Sequence, residues 1–173
     1  MSDQAVVLID TVGELLVHAL ELEEASSDHY EELADSMEIH NNLQVAELFR
    51  KLAGYSRQHA KEVRDRSEGM DLPKLTPWDF KWRCPSSPES FCMEEASYMM
   101  TTTQAMKIAL FNETRGRDFY LQVAENTSNE EVKKIASEMA EEEGRHVEML
   151  REWQTGLAEE KPLEDLDPPN MPE

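Results

Sequence analysis

Five side chains stand where their chemistry is out of place. Apolar residues recur at helical spacing through four stretches of a 173-residue chain, and each inward seam is broken near its middle by an acid or an imidazole. Glu23 breaks the first seam (Leu16, Leu20, Glu23, Ser27, Tyr30, Ala34, Met37) and His59 the second (Val45, Phe49, Leu52, Ser56, His59, Val63). Glu113 breaks the third (Met106, Ala109, Glu113, Gly116, Tyr120, Val123), and Glu143 with His146 the fourth (Ile135, Met139, Glu143, His146, Leu150, Trp153). An unpaired carboxylate in a dry interior costs several kcal/mol, so these acids need a compensating charge. Carboxylate oxygen and imidazole nitrogen together suit iron, manganese or zinc, and a divalent cation offsets the desolvation of the acids. Glu143-x-x-His146 puts both donors on one helix face a turn apart, within reach of one cation or of two adjacent ones.

The spacing repeats. Glu23 precedes Tyr30 by seven residues and Glu113 precedes Tyr120 by seven; 36 residues separate Glu23 from His59 and 33 separate Glu113 from His146. Such repetition predicts one site shared by two equivalent hairpins. Tyr30 and Tyr120, two turns beyond the glutamates, are candidates for hydrogen bonds that orient the ligands. His18, His29 and His40 fall off the seams and are predicted at the surface. In the Glu141-Glu142-Glu143 run the last residue points inward, with Glu142, four before His146, its rival for that place. The ten methionines suit core filling better than copper ligation.

Four helices must position these groups. Thr11-x-x-Glu14 has the spacing of a capping box and opens a helix running to about Met37, with an extra turn conceivable over Gln4 to Asp10. Asn41 or Asn42 opens a second helix that ends near Gly69. A third starts among Thr101 to Thr103 and stops near Asn126; Ser128-x-x-Glu131 then predicts the start of the fourth. Between the second and third, from about residue 70 to 100, Pro73, Pro77, Pro85 and Pro88 break the pattern, while Trp78, Phe80 and Trp82 are too apolar for a free linker. This predicts a long crossover packed on the bundle, pinned by Trp78 and Trp82, with a short helix from Glu89 to Met99. Loops in the order short, long, short describe an all-α, ferritin-like four-helix bundle of two antiparallel hairpins joined by that crossover. The domain is expected over residues 1–155, followed by a disordered acidic tail at 156–173 containing Pro162, Pro168, Pro169 and Pro172.

Composition narrows the function. Asp and Glu outnumber Lys and Arg by 37 to 17, and a formal charge of −20 disfavours nucleic acid and anionic lipid as partners. No apolar run reaches the roughly 18 residues of a membrane span, and the N-terminus has no basic flank to its apolar Ala5–Ile9 stretch, so a cytoplasmic protein is expected. Cys84 and Cys92 are too few for a four-thiolate iron or zinc site and are expected to stay reduced in a cytosol.

Taken in order, Glu23 with Tyr30, Phe49-x-x-Leu52-Ala53 leading to His59, Glu113 with Phe119-Tyr120, and Glu143-x-x-His146 resemble the rubrerythrin branch of the ferritin-like superfamily over roughly residues 12 to 155. The resemblance implies a pair of irons, held by one glutamate from each of two helices and a Glu-x-x-His from each of the others. It further implies an oxidoreductase reacting with oxygen or hydrogen peroxide, of peroxidase or ferroxidase type, and a homodimer. Rubrerythrins usually carry a four-cysteine electron relay as well, so a peroxidase without one needs an external electron donor. One position departs from the pattern: Ser56 stands where the glutamate three before His59 is expected. By the resemblance this leaves Glu23 and His59 on one metal, Glu113 and His146 on the other, and Glu143 between them. Three carboxylates leave two divalent cations with one surplus positive charge; Glu62 lies a turn beyond His59, and Gly116 offers no carboxylate a turn past Glu113. Metal binding or scavenging without turnover is the alternative that Ser56 implies.

Overall fold

A computed structural model of the chain describes residues 6–82 and 98–156. Four helices carry it: α1 (Val12–Ile39), α2 (Leu43–Arg66), α3 (Thr102–Asn126) and α4 (Glu130–Gly156). No strand occurs among the described residues. α1 packs chiefly on α2 and α3 on α4, and the two hairpins meet more sparsely through α1 with α4 and α2 with α3. This is the predicted all-α bundle of two antiparallel hairpins. The apolar interior falls into two clusters. One gathers Leu15, Leu22, Phe119, Val123, Ile135 and Met139; the other gathers Leu33, Phe49, Leu52, Met106 and Leu150.

Helix ends follow local chemistry. Thr11 Oγ1 accepts the Glu14 amide at 3.2 Å, which stops α1 from unravelling into the preceding segment. At α3, Thr101 and Gln104 form a reciprocal capping box. Two expectations are corrected. Asn42 precedes α2, but its side chain makes no cap; it donates instead to Met100 O at 2.8 Å, tying the α1–α2 turn to the end of the crossover. α4 is capped not by Ser128 but by Asn129, whose Oδ1 accepts the Glu131 amide at 3.0 Å. The Ser128 amide is taken by Asp10 at 3.1 Å, and Asn129 Nδ2 donates to Asp10 O at 3.0 Å. The segment before α1 is therefore irregular from residue 6 to 10 rather than an extra helical turn. It buries Val7 and Ile9 and laces the α3–α4 turn.

The crossover leaves α2 through Gly69, whose φ of +77° suits a residue without Cβ. It then runs close over the start of α1, where a Cβ on Gly13 would meet the Pro73 ring at 3.2 Å. Its anchor is a residue predicted to lie at the surface. His18 is 0 % exposed. Its Nδ1 donates to Glu14 O at 2.9 Å, and its Nε2 accepts the Lys81 amide at 3.0 Å. Phe80 and Trp82 pack edge-on against its ring and Phe119 stacks on it. Burial lowers the His18 pKa, consistent with a neutral ring that accepts at Nε2. Trp82 thus pins the crossover as predicted, whereas Trp78 is 83 % exposed and pins nothing. His29 is half-buried and His40 exposed. Cys84, Cys92, most of the short helix predicted at 89–99 and the tail from 157 lie outside the described residues.

Removing the His18 ring strips a fully buried polar anchor and opens a cavity among aromatic rings. His18→Ala is expected to cost about 3 kcal/mol. Thermal denaturation should show this as a midpoint lowered by roughly 6–12 °C, and an unchanged midpoint would refute the anchoring role.

Candidate metal centre

Between the two apolar clusters lies a layer of charge. Each helix contributes from near its middle, so antiparallel packing brings the groups to one depth. α1 supplies Glu23, α2 His59, α3 Glu113, and α4 both Glu143 and His146. The three carboxylates are 4 %, 4 % and 2 % exposed in that order. His59 Nδ1 lies 3.4 Å from a Glu23 oxygen and 4.0 Å from Glu143 Oε1. His146 Nδ1 lies 3.1 Å from Glu113 and 3.4 Å from Glu143 Oε2. Glu143 therefore turns one oxygen toward each imidazole. The two imidazoles stack face to face, with centroids 4.8 Å apart and planes 8° from parallel. His59, Glu143 and His146 can each offer a ligand atom within 4.8 Å of the other two.

Tyr30, fully buried, donates its hydroxyl to Glu113 Oε1 at 2.9 Å across the hairpin interface. Tyr120, equally buried, lines with Glu23 and His59 a cavity of about 210 Å³. Ser56 is buried too, and its hydroxyl pairs with that of Ser26 at 3.0 Å. The position that departs from the Glu-x-x-His pattern is thus satisfied between α1 and α2. Glu141 is exposed, Glu142 half-buried and Glu143 buried, the order expected from the seam.

Burial decides the electrostatics. It raises Glu143 well above the ordinary carboxylate range, and the charges of Glu23 and Glu113 push the same way. Burial also raises Glu23, against the opposing pull of His59. It pushes Glu113 upward as well, but hydrogen bonds from His146, Glu143 and Tyr30 outweigh it and hold that carboxyl below its usual value. Burial would lower both imidazoles; Glu23 overcomes this at His59, and Glu113 at His146, so both are raised. Without a cation the layer offsets its buried negative charge with protons. A donor set of carboxylate oxygen and imidazole nitrogen fits iron, manganese or zinc, which would displace those protons on binding.

One neighbour, Tyr55, was not singled out in the sequence, and two acids stand closer than their spacing implied. Tyr55 stacks on His146 at 5.5 Å between centroids. Glu62 and Glu142 both come within 4.8 Å of a His59 nitrogen by their ligand atoms, so Glu62 is nearer the site than its spacing along α2 suggested. For Tyr55 the signal was the internal repeat, since it precedes Ser56 as Glu142 precedes Glu143.

Fold and layer together define a ferritin-like bundle with a carboxylate–histidine centre. The rubrerythrin family pattern matches residues 14–100 and 104–169, and the chain belongs to the rubrerythrin family, whose members typically bind iron. A solved structure similar to it is that of an uncharacterised conserved protein from Magnetospirillum magnetotacticum, 37 % identical, covering 87 % of this chain and 98 % of its own, with a TM-score of 0.68. No curated protein matches the chain. No helix among the described residues is long and apolar enough to cross a membrane.

The raised groups carry one sign. A carboxyl raised in the folded state costs stability as the pH climbs above its ordinary value of 4.5. A raised imidazole contributes stability below 6.5 that is lost as the pH rises through its folded value. The metal-free protein should therefore lose thermal stability between about pH 5 and pH 8. Glu143→Gln should lift its midpoint at neutral pH by at least about 2 °C and flatten that dependence in calorimetry. A midpoint lowered by Glu143→Gln would show that this carboxyl is not strained by its burial.

Proposed function

We propose that this chain is a non-haem iron-binding protein that holds two irons between its hairpins and reduces oxygen or hydrogen peroxide, as a peroxidase or a ferroxidase. The single observation that supports this most is the convergence of three buried carboxylates and two stacked imidazoles in one layer. In this assignment Glu23 and His59 hold one ion, Glu113 and His146 the other, and Glu143 lies between them. Manganese or zinc would suit the same donors. Two ferrous ions bound there would supply the two electrons that, with two protons from solvent, convert hydrogen peroxide to two waters.

The side chains do the rest. Tyr30 fixes the Glu113 carboxylate through its 2.9 Å hydrogen bond, keeping one oxygen turned from the hydroxyl toward His146. Tyr120, at the equivalent place in the other half, is assigned the matching task beside Glu23. The apolar clusters on either side limit the layer's contact with water and so strengthen the interactions within it. A peroxidase would draw its electrons from a donor other than Cys84 and Cys92, which are too few for a four-thiolate relay. For a ferroxidase, ferrous iron is itself the donor.

One observation favours metal binding without turnover: Ser56 is committed to Ser26 and supplies no carboxylate. Stopped-flow oxidation of the ferrous-loaded protein by hydrogen peroxide separates the two. The oxidoreductase should react at least about tenfold faster than free ferrous ion, and equal rates would leave a binding protein. Ser56→Glu restores the absent donor and should tighten binding of the second iron by roughly tenfold, about 1.4 kcal/mol, in equilibrium titration. Unchanged binding would show that position 56 is not where a ligand is missing.

A further inference from the structure

The two ends of the layer are chemically opposite. An offset of 87 residues carries α2 onto α4 through the internal repeat, placing His59 on His146 and Ser56 on Glu143. The same offset pairs Glu62 with Met149, Arg66 with Trp153, Lys51 with Glu138 and Tyr55 with Glu142. Beside His59 lie Glu62 and Glu142, whose ligand atoms and a nitrogen of His59 all fall within 4.8 Å of one another. Arg66 and Glu138 form an ion pair at 3.2 Å and line the same cavity. Beside His146, Tyr55 covers the imidazole face, and the Lys51 ammonium sits 4.2 Å over the Trp153 ring. At equivalent positions, then, one end carries three carboxylates and a guanidinium, and the other a single ammonium among a thioether and two aromatic rings.

The cavity of about 210 Å³ at the His59 end runs from exposed Glu62 and half-buried Glu138 and Glu142 to the buried carboxylates of Glu23 and Glu143. Five carboxylates line it against the one guanidinium of Arg66, which is paired with Glu138, and a cleft of mainly negative lining concentrates cations. His59 belongs to the inner group with Glu143 and His146 and to the outer group with Glu62 and Glu142. An ion moving inward can therefore keep one imidazole ligand while it exchanges carboxylates.

We propose that His59, Glu62 and Glu142 form an outer site for a divalent cation, through which ions reach the buried layer. The transfer inward rests on the reading of the layer as a metal centre; the outer site does not. An oxygen-rich set with one imidazole suits ferrous iron, manganese or zinc.

Cobalt(II) tests this without turnover, since its visible absorption reports binding and equilibrium dialysis counts the ions. Glu62→Gln/Glu142→Gln keeps the shapes and removes two charges from positions that are not buried. It should bind one ion fewer than the wild type and fill the buried layer roughly tenfold more slowly, to the same final inner occupancy. Lys51→Gln, at the His146 end, should fill at the wild-type rate. A double variant that fills as fast and binds as many ions as the wild type would overturn the proposal. So would faster filling in Lys51→Gln, which would put the route at the other end. If the wild type binds one ion, lost in the double variant but kept in Glu143→Gln, the outer site stands and the buried centre falls.

Discussion

Three carboxylates held out of water at one depth are the constraint around which this bundle is organised. A buried acid is tolerated when opposite charge and hydrogen bonds replace its lost hydration. Here each imidazole sits against a carboxylate, Tyr30 reaches across the interface to Glu113, and Glu143 turns one oxygen toward each ring. The layer splits the apolar interior into two clusters, which flank it on either side. The hairpins are tight internally and looser toward each other, which leaves room for the charged side chains between them.

The internal repeat shows how the two halves diverged. Glu23 and Glu113, Tyr30 and Tyr120, His59 and His146 retain the pattern, while Ser56 breaks it opposite Glu143. The break is absorbed locally, by a hydroxyl pair with Ser26 that leaves no buried donor stranded. Around this core the halves carry acids at one mouth and aromatic groups at the other. An approximate two-fold at the centre thus becomes a direction at the surface.

Much of this was legible in the sequence, because helical periodicity and capping chemistry are local. The four seams, the Thr11 cap and the five charged interruptions could be read from spacing, and the structure brings those five side chains together. What spacing could not reveal depends on contacts between distant segments. His18 looks like a surface residue on its own helix; its burial comes from Phe80 and Trp82, which the crossover returns to it. Ser128 has the spacing of a cap, but Asp10 claims its amide and Asn129 takes the role. Glu62 was set aside as a turn too far, since its partner Glu142 approaches from another helix.

If a cation compensates the buried acids, anomalous diffraction at the iron edge from crystals of the iron-loaded protein will locate it. Two peaks are expected within bonding distance of the layer, one against Glu23 and His59 and the other against Glu113 and His146, with Glu143 between them. An absence of peaks there, or side chains of these residues turned out to water, would contradict the account and leave an acidic helical bundle without a metal centre.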